Sequence, residues 1–133
     1  MKYLLDTNIC IAAFRPKFLW LREKIAEHPV ADIGISVFTL AELYYGVHKS
    51  EQPLKNEAVV KQFLSVFHIV HFDEDISALY GKIRSVLEKA GKPIGNMDLL
   101  IASQALSLKL TLITANEKEF NRIATLKIEN WLK

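Results

Sequence analysis

Short apolar runs alternate with stretches of helical periodicity along the whole chain, and that alternation narrows the fold more than any other feature. Tyr3 to Leu5, Ile33 to Val37, Ile69 to Phe72 and Thr111 to Thr114 read as short strands. Helices are expected from about Ile9 to Phe14, stopped before Pro16, and from about Phe18 to Glu27, ended before Pro29. Another should begin near Thr39 with Gly46 as its terminator. Val60, Phe63, Leu64 and Phe67 form one apolar stripe at helical spacing. Ile76, Leu79, Tyr80, Ile83 and Leu87 form a second, closed by Gly91 and the Lys92-Pro93 pair. Met97 to Leu108 is apolar on nearly all sides, as a helix buried between layers would be. A short helix around Glu117 to Asn121 and a final segment to Trp131 follow. The expected class is α/β: an α/β/α sandwich with a central parallel sheet.

The chain has 133 residues, which predicts one domain spanning 1–133. Half the residues are hydrophobic and 24% are charged, so a sizeable core can form and disorder is not expected. No apolar run approaches the length of a membrane span, and the N-terminus lacks a signal-peptide pattern. Cys10 is alone, which excludes a disulfide framework and a cysteine zinc site. A cytoplasmic protein is the default expectation. A net charge of +2 does not announce nucleic-acid binding. If acidic residues are hidden in a cleft, however, the remaining surface is more basic than this total. Lys49, Lys55, Arg84, Lys89 and Lys92 are the candidates for a phosphate-facing rim; solvated helix faces explain them equally.

Four residues stand where apolar runs stop or helices begin. Asp6 follows the first run and Asn116 the last, while Glu42 and Asp98 fall in the first turns of expected helices. In a parallel sheet covered on both faces, ligands bind beyond the carboxyl ends of the strands, so all four are expected at one edge. Each has an ordinary local explanation. Asp6 can cap a helix, Thr39 and Glu42 match a capping box, Asp98 suits a helix N-terminus, and Asn116 with Glu119 can form another cap pair. A cap needs no charge, however, and three of the four are acidic. Two carboxylates about 5 Å apart repel by about 3 kcal/mol at an effective dielectric near 20. Several such pairs weigh heavily on a domain stable by about 5–15 kcal/mol. A hard divalent cation relieves the repulsion, and all-oxygen ligands suit Mg²⁺ or Mn²⁺ rather than zinc.

With these residues in place, the chain resembles the PIN-domain ribonucleases and, within them, the VapC toxins of type II toxin–antitoxin systems. The likeness covers almost the whole chain. Leu5-Asp6-Thr7-Asn8 is similar to the opening motif. Leu40-Ala41-Glu42-Leu43 followed by Gly46 matches the second acid. Pro93-Ile94-Gly95 with Asp98, Ile101 and Ala102 matches the third. Thr114, Asn116, Glu119-Phe120, Leu126 and Glu129-Asn130-Trp131 resemble the C-terminal block. Asn116 stands where many members carry Asp, and Ser103 where a second Ala is usual. The resemblance implies a Mg²⁺-dependent endoribonuclease, a homodimer, and a cognate antitoxin that inhibits it. It also implies structured RNA as substrate, with initiator tRNA the target in the subgroup most similar to this chain.

The chemistry expected is attack by a metal-activated water on a phosphodiester. Asp6 and Asp98 would hold the ion, Glu42 and Asn116 would complete the site, and Glu42 would orient or deprotonate the water. Cleavage would leave a 5′-phosphate. Thr114 or Thr7 is placed to hydrogen-bond a carboxylate or the phosphate. Competing readings are a nuclease or phosphatase acting on DNA or another phosphoester, a non-catalytic Mg²⁺-binding domain of receiver type, and an inactive RNA-binding scaffold. A receiver would carry a second acid beside Asp6, where this chain has Thr7-Asn8. His68 and His71 point to opposite faces of a strand and cannot readily share an ion. Trp20 and Trp131 suit packing better than RNA stacking. The helix near Val60 to Phe67 offers apolar surface that a partner could bury.

Overall fold

The computed structural model describes residues 1–133. Five strands and seven α-helices follow one another as β1 (Tyr3–Leu5), α1 (Thr7–Ala13), α2 (Leu19–Ala26), β2 (Ile33–Ser36), α3 (Val37–Lys49), α4 (Pro53–Leu64), β3 (His68–Val70), α5 (Glu74–Lys89), α6 (Asn96–Ser107), β4 (Thr111–Ile113), α7 (Glu117–Phe120) and β5 (Ile128–Glu129). All strand pairings are parallel, in the order β3-β2-β1-β4-β5.

Side-chain alternation along the strands divides the core into two layers. Leu5, Ile33, Ile35 and Ile113 face a cluster built with α1 to α4. Leu4, Val70 and Leu112 face the other, built with α5, α6 and α7. This is the expected α/β/α sandwich. Gly34 lies on the second face, where a Cβ would stand 2.9 Å from Val70 Cγ2 and 2.5 Å from Met1 Sδ. The α6 helix is buried at six positions, which explains why its sequence shows no polar stripe. Within it, buried Gln104 ties the second and third strands to the helix. Its Oε1 accepts from Ser36 Oγ at 2.5 Å, and its Nε2 donates to the carbonyls of Val70 and His71, each at 3.1 Å.

Gly91 ends α5 as expected. Its φ is +69°, the Lys92 amide donates to Leu87 O at 2.9 Å, and the Gly91 amide to Glu88 O at 3.1 Å, a Schellman closure. Gly46, by contrast, does not end α3, which runs on to Lys49. Glycine costs a helix interior only about 1 kcal/mol, and burial of Leu43 and Val47 on either side offsets that. Phe67 lies beyond the end of α4, β3 begins one residue earlier than expected and stops at Val70, and Ile128–Glu129 adds an edge strand to the sheet.

Candidate functional site

The strand order places the crevice. From β1 the chain winds outward through β2 to β3, then returns to the other side of β1 to form β4. Beyond the carboxyl ends of β1 and β4 the connections diverge, which is where open parallel sheets bind ligands. Asp6 follows β1 and Thr114 follows β4, each as the next residue in its chain segment.

Asp6 is held there by both neighbours. Its amide donates to Ile113 O at 2.9 Å, carrying the ladder one step past the strand. Its Oδ1 accepts from the Thr7 amide at 2.9 Å, which caps α1, and its Oδ2 accepts from Thr114 Oγ1 at 2.8 Å. Only 2% of the residue is exposed. Burial raises its pKa above the usual carboxylate value, and the Thr114 and Thr7 hydrogen bonds pull back toward ionisation. Thr114 thus realises the strand-end hydroxyl role, and Thr7 Oγ1 instead lies 2.9 Å from Thr39 Oγ1, joining the first turns of α1 and α3.

Asp98 stands in the first turn of α6, half-buried, with Gly95 as the helix cap before it. A Cβ on Gly95 would come within 3.9 Å of its Oδ2. Its pKa is pushed up to about 6 by burial first, then by the charge of Asp6, then by a hydrogen bond and the charge of Glu119. Asp6, Asp98 and Glu119 therefore crowd one another electrostatically. Asn116 completes the group: its amide donates to Thr114 Oγ1 at 3.0 Å, and its Nδ2 donates to Glu119 Oε2 at 2.8 Å. Asn116 occupies the cap position of α7 but makes no side-chain cap bond.

Glu42 is the one expected site residue that the structure does not join to the others. It is half-buried and makes no hydrogen bond or ion pair. The reason lies at the start of α3. Ser36 is the cap, its Oγ accepting from the Phe38 amide at 3.0 Å, so Thr39 and Glu42 form no capping box. The cap stands three residues before Thr39, so Glu42 sits three helical positions further along α3 than a Thr39 cap would put it, about 4.5 Å at 1.5 Å per residue. Thr39, one turn before Glu42 on α3, meets Thr7 next to Asp6. Nowhere do three His, Cys, Asp or Glu side chains stand close enough to grip one ion together.

Glu119 is the site residue that local reading overlooked. Its spacing from Asn116 suggested only a cap pair, whereas its carboxyl also meets Asp98 from another element. The donor set fits a hard cation. It is all oxygen, its best-placed pair is mutually repelling, and Mg²⁺ characteristically takes one or two carboxylates and keeps several waters.

The profile of the PIN domain matches residues 3–126. The chain belongs to the PIN-domain family. Its VapC branch is equally clear. The chain is 43% identical over 136 residues to Ribonuclease VapC2 of Rickettsia felis, with 100% of both chains covered. It is 37% identical to the tRNA(fMet)-specific endonuclease VapC of Shigella flexneri, covering 98% of each. The DNA-bound VapBC structure from Salmonella typhimurium superposes with a TM-score of 0.92 at 38% identity, again over 98% of each chain. In this VapC-type chain no helix is long and apolar enough to cross a membrane. PIN-domain ribonucleases are generally metal-dependent, which agrees with the oxygen-rich crevice.

Proposed function

We propose that this PIN-domain protein is the toxic endoribonuclease of a toxin–antitoxin pair, acting in the cytoplasm as one 133-residue domain. The observation that carries the reading is the buried Asp6 facing half-buried Asp98 at the sheet's switch point, with the pKa of Asp98 raised to about 6. Full-length relatives named as ribonucleases support it. Asp6 and Asp98 would hold Mg²⁺ or Mn²⁺, with Glu42 and Asn116 contributing. When bound, such an ion polarises a scissile phosphate oxygen and makes an attacking water more acidic.

The chain's own residues do the rest. Thr114 and the Thr7 amide fix both oxygens of Asp6, so that carboxylate meets its ligand without reorganising. Asn116 orients Glu119 against Asp98. Glu42, on α3, orients the water or takes its proton. The product is a 5′-phosphate. Structured RNA is the substrate class, and initiator tRNA its first candidate, because a relative bears that specificity in its name.

The partner is an antitoxin protein, since the structural neighbours are VapBC complexes. The surface it covers is the apolar groove of about 370 Å³ between α2 and α4, lined by Ile25, Phe63 and Phe67, with exposed Val59 and Val66 on its rim. Two copies associate in solution, which sedimentation reads directly.

The deciding experiment incubates purified protein with total RNA in Mg²⁺ or EDTA, beside Asp98→Asn. Cleavage should need both the metal and Asp98, and sequencing the new 5′ ends identifies the target. Fragments ending in a 2′,3′-cyclic phosphate would overturn the mechanism, because they require attack by the RNA's own hydroxyl.

A further inference from the structure

The last turn of α7 and the loop before α6 border a second, open cavity of about 600 Å³ with a largely polar lining. Lys92, Lys118 and Arg122 line it together with Gly91, Pro93 and Asn121. None of the three cations is paired with a carboxylate, whereas Arg84, Lys61, Lys2 and Lys133 all are. Arg122 donates from Nη1 to Pro93 O at 2.6 Å, which fastens the loop to the turn after α7 and leaves the rest of its guanidinium free. Three unneutralised cations around a polar cavity repel one another, and an anion is the ligand that relieves them.

The two segments that border the cavity also run to the crevice. The α7 helix sends Glu119 to Asp98 and carries Lys118 as the preceding residue. The loop through Lys92 and Pro93 runs directly into Gly95, whose Cβ position lies 3.9 Å from Asp98 Oδ2. A polyanion threaded past Asp98 would therefore meet the three cations next. We propose that Lys92, Lys118 and Arg122 form a cradle for backbone phosphate of the substrate RNA beside the scissile bond. The inference rests on the ribonuclease reading above. It refines the basic rim expected from sequence: Lys92 belongs to it, Lys118 and Arg122 join it, and Arg84 is engaged by Glu88 and Tyr80. Such contacts set position and register along the strand and carry no base specificity.

The test measures binding of a short fluorescein-labelled single-stranded RNA in EDTA, where no cleavage intervenes. Lys92→Ala with Lys118→Ala removes two exposed side chains that make no hydrogen bond or ion pair, so the fold is retained. The double variant should bind about tenfold more weakly. Its log Kd against log salt should flatten by about 1.4, since each lost single-strand phosphate contact removes about 0.7. The charge-matched Lys24→Ala with Lys82→Ala variant, on α2 and α5, should match wild type. A double variant with wild-type affinity and salt slope overturns the cradle, while Mg²⁺-dependent cleavage by the wild type keeps the ribonuclease reading. The reverse result, cradle-dependent RNA binding without any cleavage, overturns the catalytic reading alone. Poly-glutamate binding that depends on the two lysines while RNA binding does not would assign the cavity to an acidic protein segment and overturn the proposal.

Discussion

Replacing Asp98 with Asn should make the metal-free protein more stable at neutral pH, and the size of the gain follows from the site. The carboxyl titrates near 6 in the folded protein against 3.8 for the unperturbed group. At 1.36 kcal/mol per unit, the folded state penalises ionised Asp98 by about 3 kcal/mol before screening. Half of the residue faces water, which reduces this to about 1.5 kcal/mol. The α6 dipole returns about 0.5 kcal/mol to a first-turn carboxylate, so removing the charge nets about 1 kcal/mol. For a domain of this size that is a Tm increase of about 4 °C. The sign is fixed by proton uptake. Between pH 4 and 6 the folded state binds more protons at Asp98 than the unfolded state, so wild-type stability falls as pH rises through that window. Asp98→Asn removes that part of the slope. In EDTA, thermal melts of the two proteins should coincide near pH 4 and separate above pH 6. Adding Mg²⁺ should then favour the wild type, because only it retains the ligand. A Tm difference that is equal at pH 4 and pH 8, or a Mg²⁺ shift of equal size in both proteins, would refute the argument.

Two further substitutions probe the supports of the crevice. Thr114→Val keeps the volume of a fully buried side chain but deprives Asp6 Oδ2 and the Asn116 amide of their partner. It should cost about 1–3 kcal/mol in urea unfolding and lower cleavage even at saturating metal. Gln104→Ala removes three hydrogen bonds, two of them buried, between α6 and the ends of β2 and β3. A loss of about 2–4 kcal/mol is expected, measured by the same unfolding, and a value under 1 kcal/mol would show that water replaces the amide.

The layered architecture was legible because the inner strands are apolar on both faces and each amphipathic helix announces its period. Asp6 was legible for a related reason: a carboxylate immediately after a buried strand has few places to go. Glu42 was read as half of a capping box that the structure does not form. Thr39-x-x-Glu42 and Ser36 are equally good helix starts locally, and the choice is made by Gln104, which takes the Ser36 hydroxyl from 68 residues away. Glu119 was hidden by the same limitation. Its local partner Asn116 was visible, and its distant partner Asp98 was not. The cradle cations were partly hidden too, since only folding shows that Lys118 and Arg122 share a cavity with Lys92.

The Asp6–Thr114 hydrogen bond joins residues 108 positions apart. At a synthesis rate of about 5–20 residues per second, Asp6 leaves the ribosome many seconds before the strand that anchors it exists. Until then its first strand can pair only with β2, and the crevice has one wall. A cell making this protein is thus spared a working site on incomplete chains.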